Sequence, residues 1–232
     1  MSCMLPLQHD SAAYSHWRLV RSYVLSRRLP GYWLLMLILL GVVLWGQGWA
    51  RSHPPTALWM LVFLLPVATA SVMGVSLWSP FGETERAAGT LLPLGRILHL
   101  LSMIALALAI TWAAVATWVP EGFPGRWELY LLRHTAALVG VALLGARLID
   151  TRLSWIGPAL VAIPGLVTGY IRMEVAEAEG RQVAFFHDSW HPMLHPDGSA
   201  LAATVAAVLF VMGTVVMVSA GERLAEPEET AG

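Results

Sequence analysis

His187, His191 and His195 recur every four residues in a segment that also holds Asp188, Met193 and Asp197. A spacing of four puts His187 and His191 on one helix face, the arrangement of a paired metal ligand. Pro192 and Pro196 directly follow two of these histidines. A proline inside a helix removes a hydrogen bond and clashes with the preceding turn, so one helix through all three is not expected. Phe185, Phe186, Trp190, Met193 and Leu194 lie among them and suit an amphipathic wedge or outer gate at a membrane surface. The residue types favour an interfacial segment over a metal site, with His187, His191 and His195 kept as the metal candidates. A second constellation, Glu83-Thr84-Glu85-Arg86-Ala87-Ala88, is made of helix formers. Ser79-Pro80 ahead of it can start a helix, and Gly89 can end one. A short charged helix of this kind suits docking rather than bond chemistry.

Several chemistries are excluded by what is missing. All fourteen basic residues are arginine, and there is no lysine. A Walker A phosphate loop and a lysine Schiff base are therefore both impossible within this chain. Cys3 is the single cysteine, which removes an intrachain disulfide and a cysteine-based zinc site. A net charge of -1 gives no pull toward nucleic acid.

The elements that must position these residues are set by the solvent. The 232 residues are 57% hydrophobic and only 12% charged, with a mean hydropathy of +0.64. Soluble domains carry about a quarter charged residues, so this chain belongs in a bilayer. Crossing the hydrocarbon core takes roughly 20 apolar residues in a helix. Six stretches qualify, at approximately 32–50, 57–78, 97–119, 129–148, 154–171 and 199–220. The fourth is the weakest, because Arg133 and His134 fall in its first half. Pro66, Pro158 and Pro164 imply kinks rather than breaks in the second and fifth. The expected fold is an all-α polytopic protein, with residues 31–220 forming a six-helix transmembrane domain.

Arginine placement orients it. With the N-terminus cytoplasmic, nine arginines lie inside (Arg18, Arg21, Arg27, Arg28, Arg86, Arg96, Arg147, Arg152, Arg223) and five outside. Trp49, Trp118 and Trp127 mark the outer interface; Trp33, Trp78 and Trp155 mark the inner one. Residues 1–30 form a cytoplasmic N-terminus whose stretch 10–28 reads as an interfacial helix, with Ala13, Trp17, Val20 and Val24 on one arc. Residues 221–232 form a cytoplasmic acidic tail. Ionisable residues within the spans reduce to His99, Arg133 and His134, each near an interface, and Arg133 can snorkel outward.

The segment between the second and third spans resembles that of the permease subunits of type-2, exporter-like ABC transporters. In that family acidic residues precede Gly-Thr-Leu and then Pro-x-x-Arg. Here the pattern is Glu83, Glu85, Gly89-Thr90-Leu91 and Pro93-Leu94-Gly95-Arg96. The basic N-terminal helix, six spans and long outer segment before the last span are similar too. The resemblance implies that 82–91 is a coupling helix, with Glu83, Glu85, Arg86, Gly89, Thr90 and Leu91 facing separate ABC ATPase subunits. It implies ATP and Mg in that partner, no cofactor in this chain, and a second permease subunit, identical or different. A weakly polar path fits an amphipathic or lipidic cargo, moved across the plasma membrane without catalysis by the chain itself. A haem-handling permease of cytochrome c maturation has similar length and span number. The rival from another class is a membrane-embedded metal enzyme using His134 with the outer-side histidines, and a passive scaffold is a third.

Overall fold

The computed structural model describes residues 21, 24–25, 28–77, 91–119, 121, 126–178 and 199–220. Among these, every regular element is a helix: α1 (Leu29–Trp45), α2 (Gln47–Ser52), α3 (Pro54–Ser76), α4 (Leu91–Trp118), α5 (Trp127–Leu148), a 3-10 turn (Thr151–Leu153), α6 (Ile156–Ala178) and α7 (Ala200–Ala220). Leu29–Ser52 (α1 with α2), Leu94–Trp118, Trp127–Leu148 and Ala200–Ser219 are long and apolar enough to cross a membrane. The chain is therefore a membrane-embedded helical protein. Against six expected crossings, four are met by length and composition; α3 and α6 hold the shorter apolar stretches Phe63–Ser76 and Thr151–Val167.

Prolines leave the helices continuous, as expected. Pro66 and Pro164 lie inside α3 and α6. Pro158 sits in the first turn of α6, where no intrahelical N–H is required. Near Pro66 the buried Thr69 hydroxyl donates back to the carbonyls of Leu65 and Pro66, both at 3.0 Å. Hydroxyls that find a carbonyl within their own helix in this way need no water, which the bilayer does not supply.

The centre of the bundle is α5. It packs most extensively on α7 and α3, and also against α6 and α4. Leu131, His134, Thr135, Leu138, Val139, Gly140, Ala142, Leu143 and Ala146 are buried along it. Small residues set its closest approaches. A Cβ on Gly140 would lie 2.6 Å from the backbone N of Phe210, so α5 and α7 cross with their backbones nearly touching. The helix expected to be weakest is thus the most enclosed of the four long apolar helices, with His134 and Thr135 shielded by its neighbours.

On the periphery, α1 buries Leu29, Met36 and Val43, one residue in seven, and exposes most of its remaining apolar surface. That narrow stripe is enough to seat one helix on another while the rest faces acyl chains. Two tryptophans fasten it. Trp33 Nε1 donates to Ser102 Oγ (3.2 Å), and Trp118 Nε1 donates to the Val43 carbonyl (2.6 Å). The Trp118 ring fills the space where a Cβ on Gly46 would be, 2.8 Å from its Cζ2, and α1 breaks there into α2.

These contacts define the two ends of the bundle. Trp33–Ser102, Ser76–His99 and the packing of Ser154 on Gly74 gather the start of α1, the end of α3, the start of α4 and the α5–α6 turn at one end. Trp49 meets Trp118 edge-on at 6.3 Å at the other. Arg28 enters α1 in the left-handed conformation (φ 53°, ψ 30°), its N–H bonded to the Leu25 carbonyl at 3.1 Å. This corner redirects the chain from the helical residues Arg21, Val24 and Leu25 into α1.

Candidate functional site

Of the residues singled out by sequence, Glu83, Glu85, Arg86, Gly89 and Thr90 lie outside the described residues. So do Phe185, Phe186, Trp190, His187, His191 and His195. Leu91, expected at the close of a separate short helix, is the first residue of α4. The structure does describe what borders the 78–90 segment, and a polar joint is found there.

Ser76 ends α3 and His99 lies in the third turn of α4; both are buried, at 1% and 3% exposure. The Ser76 hydroxyl donates to the Met73 carbonyl at 2.7 Å, a bond any serine in a helix can make. With its one proton committed, Oγ is left to accept from His99 Nε2 at 3.2 Å, which assigns the ring proton to that nitrogen. One turn along, Ser102 donates to the His99 carbonyl at 2.7 Å and accepts from Trp33. A continuous string of hydrogen bonds therefore joins α3, α4 and α1.

The α5–α6 turn closes the same end. Ser154 is fully buried, with its Cβ 3.0 Å from where a Gly74 Cβ would stand, and its hydroxyl donates to the Thr151 carbonyl at 2.8 Å. Gly74 also faces Ala142 of α5, so any larger residue would push α3 away from both α5 and the turn. The chemistry of the joint is mechanical. It offers hydrogen bonds in series between helices, and displacement of one member must be accommodated by the others.

At the opposite end His134 is 1% exposed, its ring 6.2 Å from Phe63 and 6.1 Å from Tyr130. The sequence marked His134 as lying near an interface; at that end of the bundle its ring is enclosed by neighbouring helices. Arg133 is half-buried, and its guanidinium carbon stands 5.0 Å from the centroid of the Tyr130 ring. Tyr130 is one turn closer to the Trp127 end, so Arg133 reaches back toward that end, as snorkelling requires. Among the described residues no three His, Cys, Asp or Glu side chains come together as a metal site would need.

Sequence reasoning found His99, Arg133 and His134 but missed Gly74, Ser76 and Ser154. The available signal was their type: small or hydroxyl residues at the ends of apolar runs, where helices can approach and bond. No family model, curated protein or solved structure gives a match to this chain.

Proposed function

We propose that this chain is the transmembrane permease subunit of an exporter-like type-2 ABC transporter. The observation that carries the reading is the segment between α3 and α4, with Glu83 and Glu85 before Gly89-Thr90-Leu91 and Pro93-x-x-Arg96. Its docking role is supported by the hydrogen-bonded joint of Ser76 and His99, which flank it in α3 and α4. Six crossings with both termini cytoplasmic in the plasma membrane complete the proposal, α3 and α6 being the additional two.

In this reading separate ATPase subunits bind ATP and Mg and close on one another, and a second permease subunit forms the other half of the path. Residues 82–91 receive that motion. The Ser76–His99 bond passes it to α3 and α4 together, and Ser154 on Gly74 passes it to the α5–α6 turn. Nucleotide shifts the permease only by its differential affinity for the two arrangements. The chain does conformational work, and an amphipathic or lipidic cargo suits its apolar helices.

The test is purification of the intact complex in mild detergent from its native membrane. An ATPase co-purifying in fixed ratio, with nucleotide-dependent protection of residues 78–90 from protease, is expected. A chain that purifies alone, with protease sensitivity indifferent to ATP, would sink the proposal.

A further inference from the structure

Close packing sets the depth of the link between α5 and α6. A Cβ on Gly145 would lie 3.6 Å from Ser154 Cα, and one on Gly157 would lie 2.9 Å from Val141 Cγ1. The chain therefore folds straight back along α5, with Ser154 level with Gly145 and Gly157 level with Val141. At 1.5 Å per residue from Trp127, the first residue of α5, Gly145 is about 27 Å and Val141 about 21 Å along the axis. With Trp127 at one boundary of a hydrocarbon core about 30 Å thick, both lie short of the other boundary. The first turn of α6 thus starts inside the apolar layer, and the link rounds the edge of that layer.

The residues of the link suit that depth. Thr151 and Ser154, its hydroxyl residues, are buried at 2% and 0% exposure, while Leu148, Ile149, Leu153 and Trp155 are exposed at 67%, 55%, 43% and 47%. A turn in water places these types the other way round, and exposed apolar surface of this kind marks a contact with a partner or a membrane. It continues into α6 at Leu160, Ile163 and Val167. The backbone finds its partners locally. The Ile149 N–H donates to the Gly145 carbonyl at 2.9 Å, the Arg152 N–H to Asp150 Oδ1 at 2.7 Å and the Leu153 N–H to the Asp150 carbonyl at 3.1 Å. Ser154 donates to the Thr151 carbonyl from both its N–H and its hydroxyl, at 3.4 and 2.8 Å. Internal partners of this kind stand in for water. The long stems of Arg147 and Arg152 let their charged ends lie farther out than their backbones.

We propose that residues 148–155 form a contact surface for the bilayer itself, with Leu148, Ile149, Leu153 and Trp155 immersed in its glycerol and acyl-carbonyl layer. The occupant is lipid because the patch lies at the edge of the hydrocarbon core and is continuous with the apolar flank of α6. Immersion fixes the depth of the turn on which Ser154 meets Gly74. The inference rests on membrane embedding and not on the transport reading.

The experiment places a nitroxide on the full chain in dioleoyl-phosphatidylcholine vesicles, at Ile149→Cys or Leu153→Cys, with Cys3→Ser removing the native thiol. Leu160→Cys marks the acyl layer and Glu229→Cys, in the acidic tail, marks water. Collisions with oxygen, which concentrates among acyl chains, are compared with collisions with a water-soluble nickel chelate. At 149 and 153 the oxygen-to-nickel ratio should stand several-fold above that at 229 and approach that at 160. A ratio like that of the tail would place the link in water and overturn the proposal. Few collisions with either reagent would overturn it as well, since the patch would then be covered by protein, whether another segment of this chain, a second copy or a soluble subunit. Trp155 gives a second measurement without a label. The fluorescence lost in Trp155→Phe isolates its emission, which phosphatidylcholine brominated near the acyl carbonyls should quench. Emission untouched by brominated lipid would overturn the proposal too.

Discussion

Gly213 of α7 and Gly140 of α5 face each other so closely that a Cβ on Gly213 would lie 2.7 Å from the Gly140 carbonyl oxygen. Nothing flexible lies between them to yield, since the obstacle is backbone. Gly140→Ala or Gly213→Ala should therefore destabilise the fold by about 1–3 kcal/mol through helix separation. A Cβ on Gly41 would meet nothing within 4 Å, and Gly41→Ala should be neutral or mildly stabilising. Thermal unfolding in detergent distinguishes the two, and equal melting temperatures for Gly140→Ala and Gly41→Ala would contradict the crossing.

The Ser76–His99 bond should be visible as a coupling. Ser76→Ala and His99→Phe each remove one side of it, and a double-mutant cycle isolates the pair from the other contacts of His99. About 1 kcal/mol of coupling is expected for a buried neutral hydrogen bond. Strict additivity of the two changes would mean that the 3.2 Å approach contributes nothing.

Arg28 has a left-handed backbone, which a side chain with a Cβ adopts at a cost of about 1–2 kcal/mol. Arg28→Gly should be more stable than Arg28→Ala by about 1 kcal/mol. Comparing Gly with Ala cancels the loss of charge. Denaturant or thermal midpoints read the difference, and a less stable Gly variant would place the corner elsewhere.

Charge reversal tests the proposed docking segment. Glu85→Arg, set against a basic group in an ATPase cleft, should cost about 1–3 kcal/mol and weaken association or coupling about tenfold or more. Substrate-stimulated ATPase activity and subunit co-purification, at equal expression, are the measurements. Unchanged coupling after reversal of Glu85, Glu83 and Arg86 in turn would leave 82–91 as a solvated connector.

Spans were legible because the bilayer imposes a single demand, a long apolar run. The expected 129–148 falls within Trp127–Leu148, and 199–220 nearly coincides with Ala200–Ala220. Relative burial was not legible. Arg133 and His134 made α5 look like the poorest crossing, yet it is the most enclosed of the four long apolar helices. Polar side chains lower apparent apolarity most where neighbouring helices keep lipid away from them. Pairings such as Ser154 with Gly74 were invisible for another reason: they depend on which helices meet, and apolar runs carry no record of that. Of the candidate site, Leu91 alone lies within the described residues, at the start of α4.

The paired tryptophans of α1 and α4 bear on how this domain can deform. A single bond would leave α1 able to pivot about it. Trp33 and Val43, ten residues apart, hold α1 at two points about 15 Å from one another along its axis. Two attachments remove the pivot as well as the separation, so α1 and α4 form one stiff plank. Among the described residues, relative movement then falls to the thinner seams by which this pair meets α3, α5 and α7. A hinge sought by spin labels or cross-linking belongs along those seams, with the α1–α4 pair as the fixed frame against which to measure it.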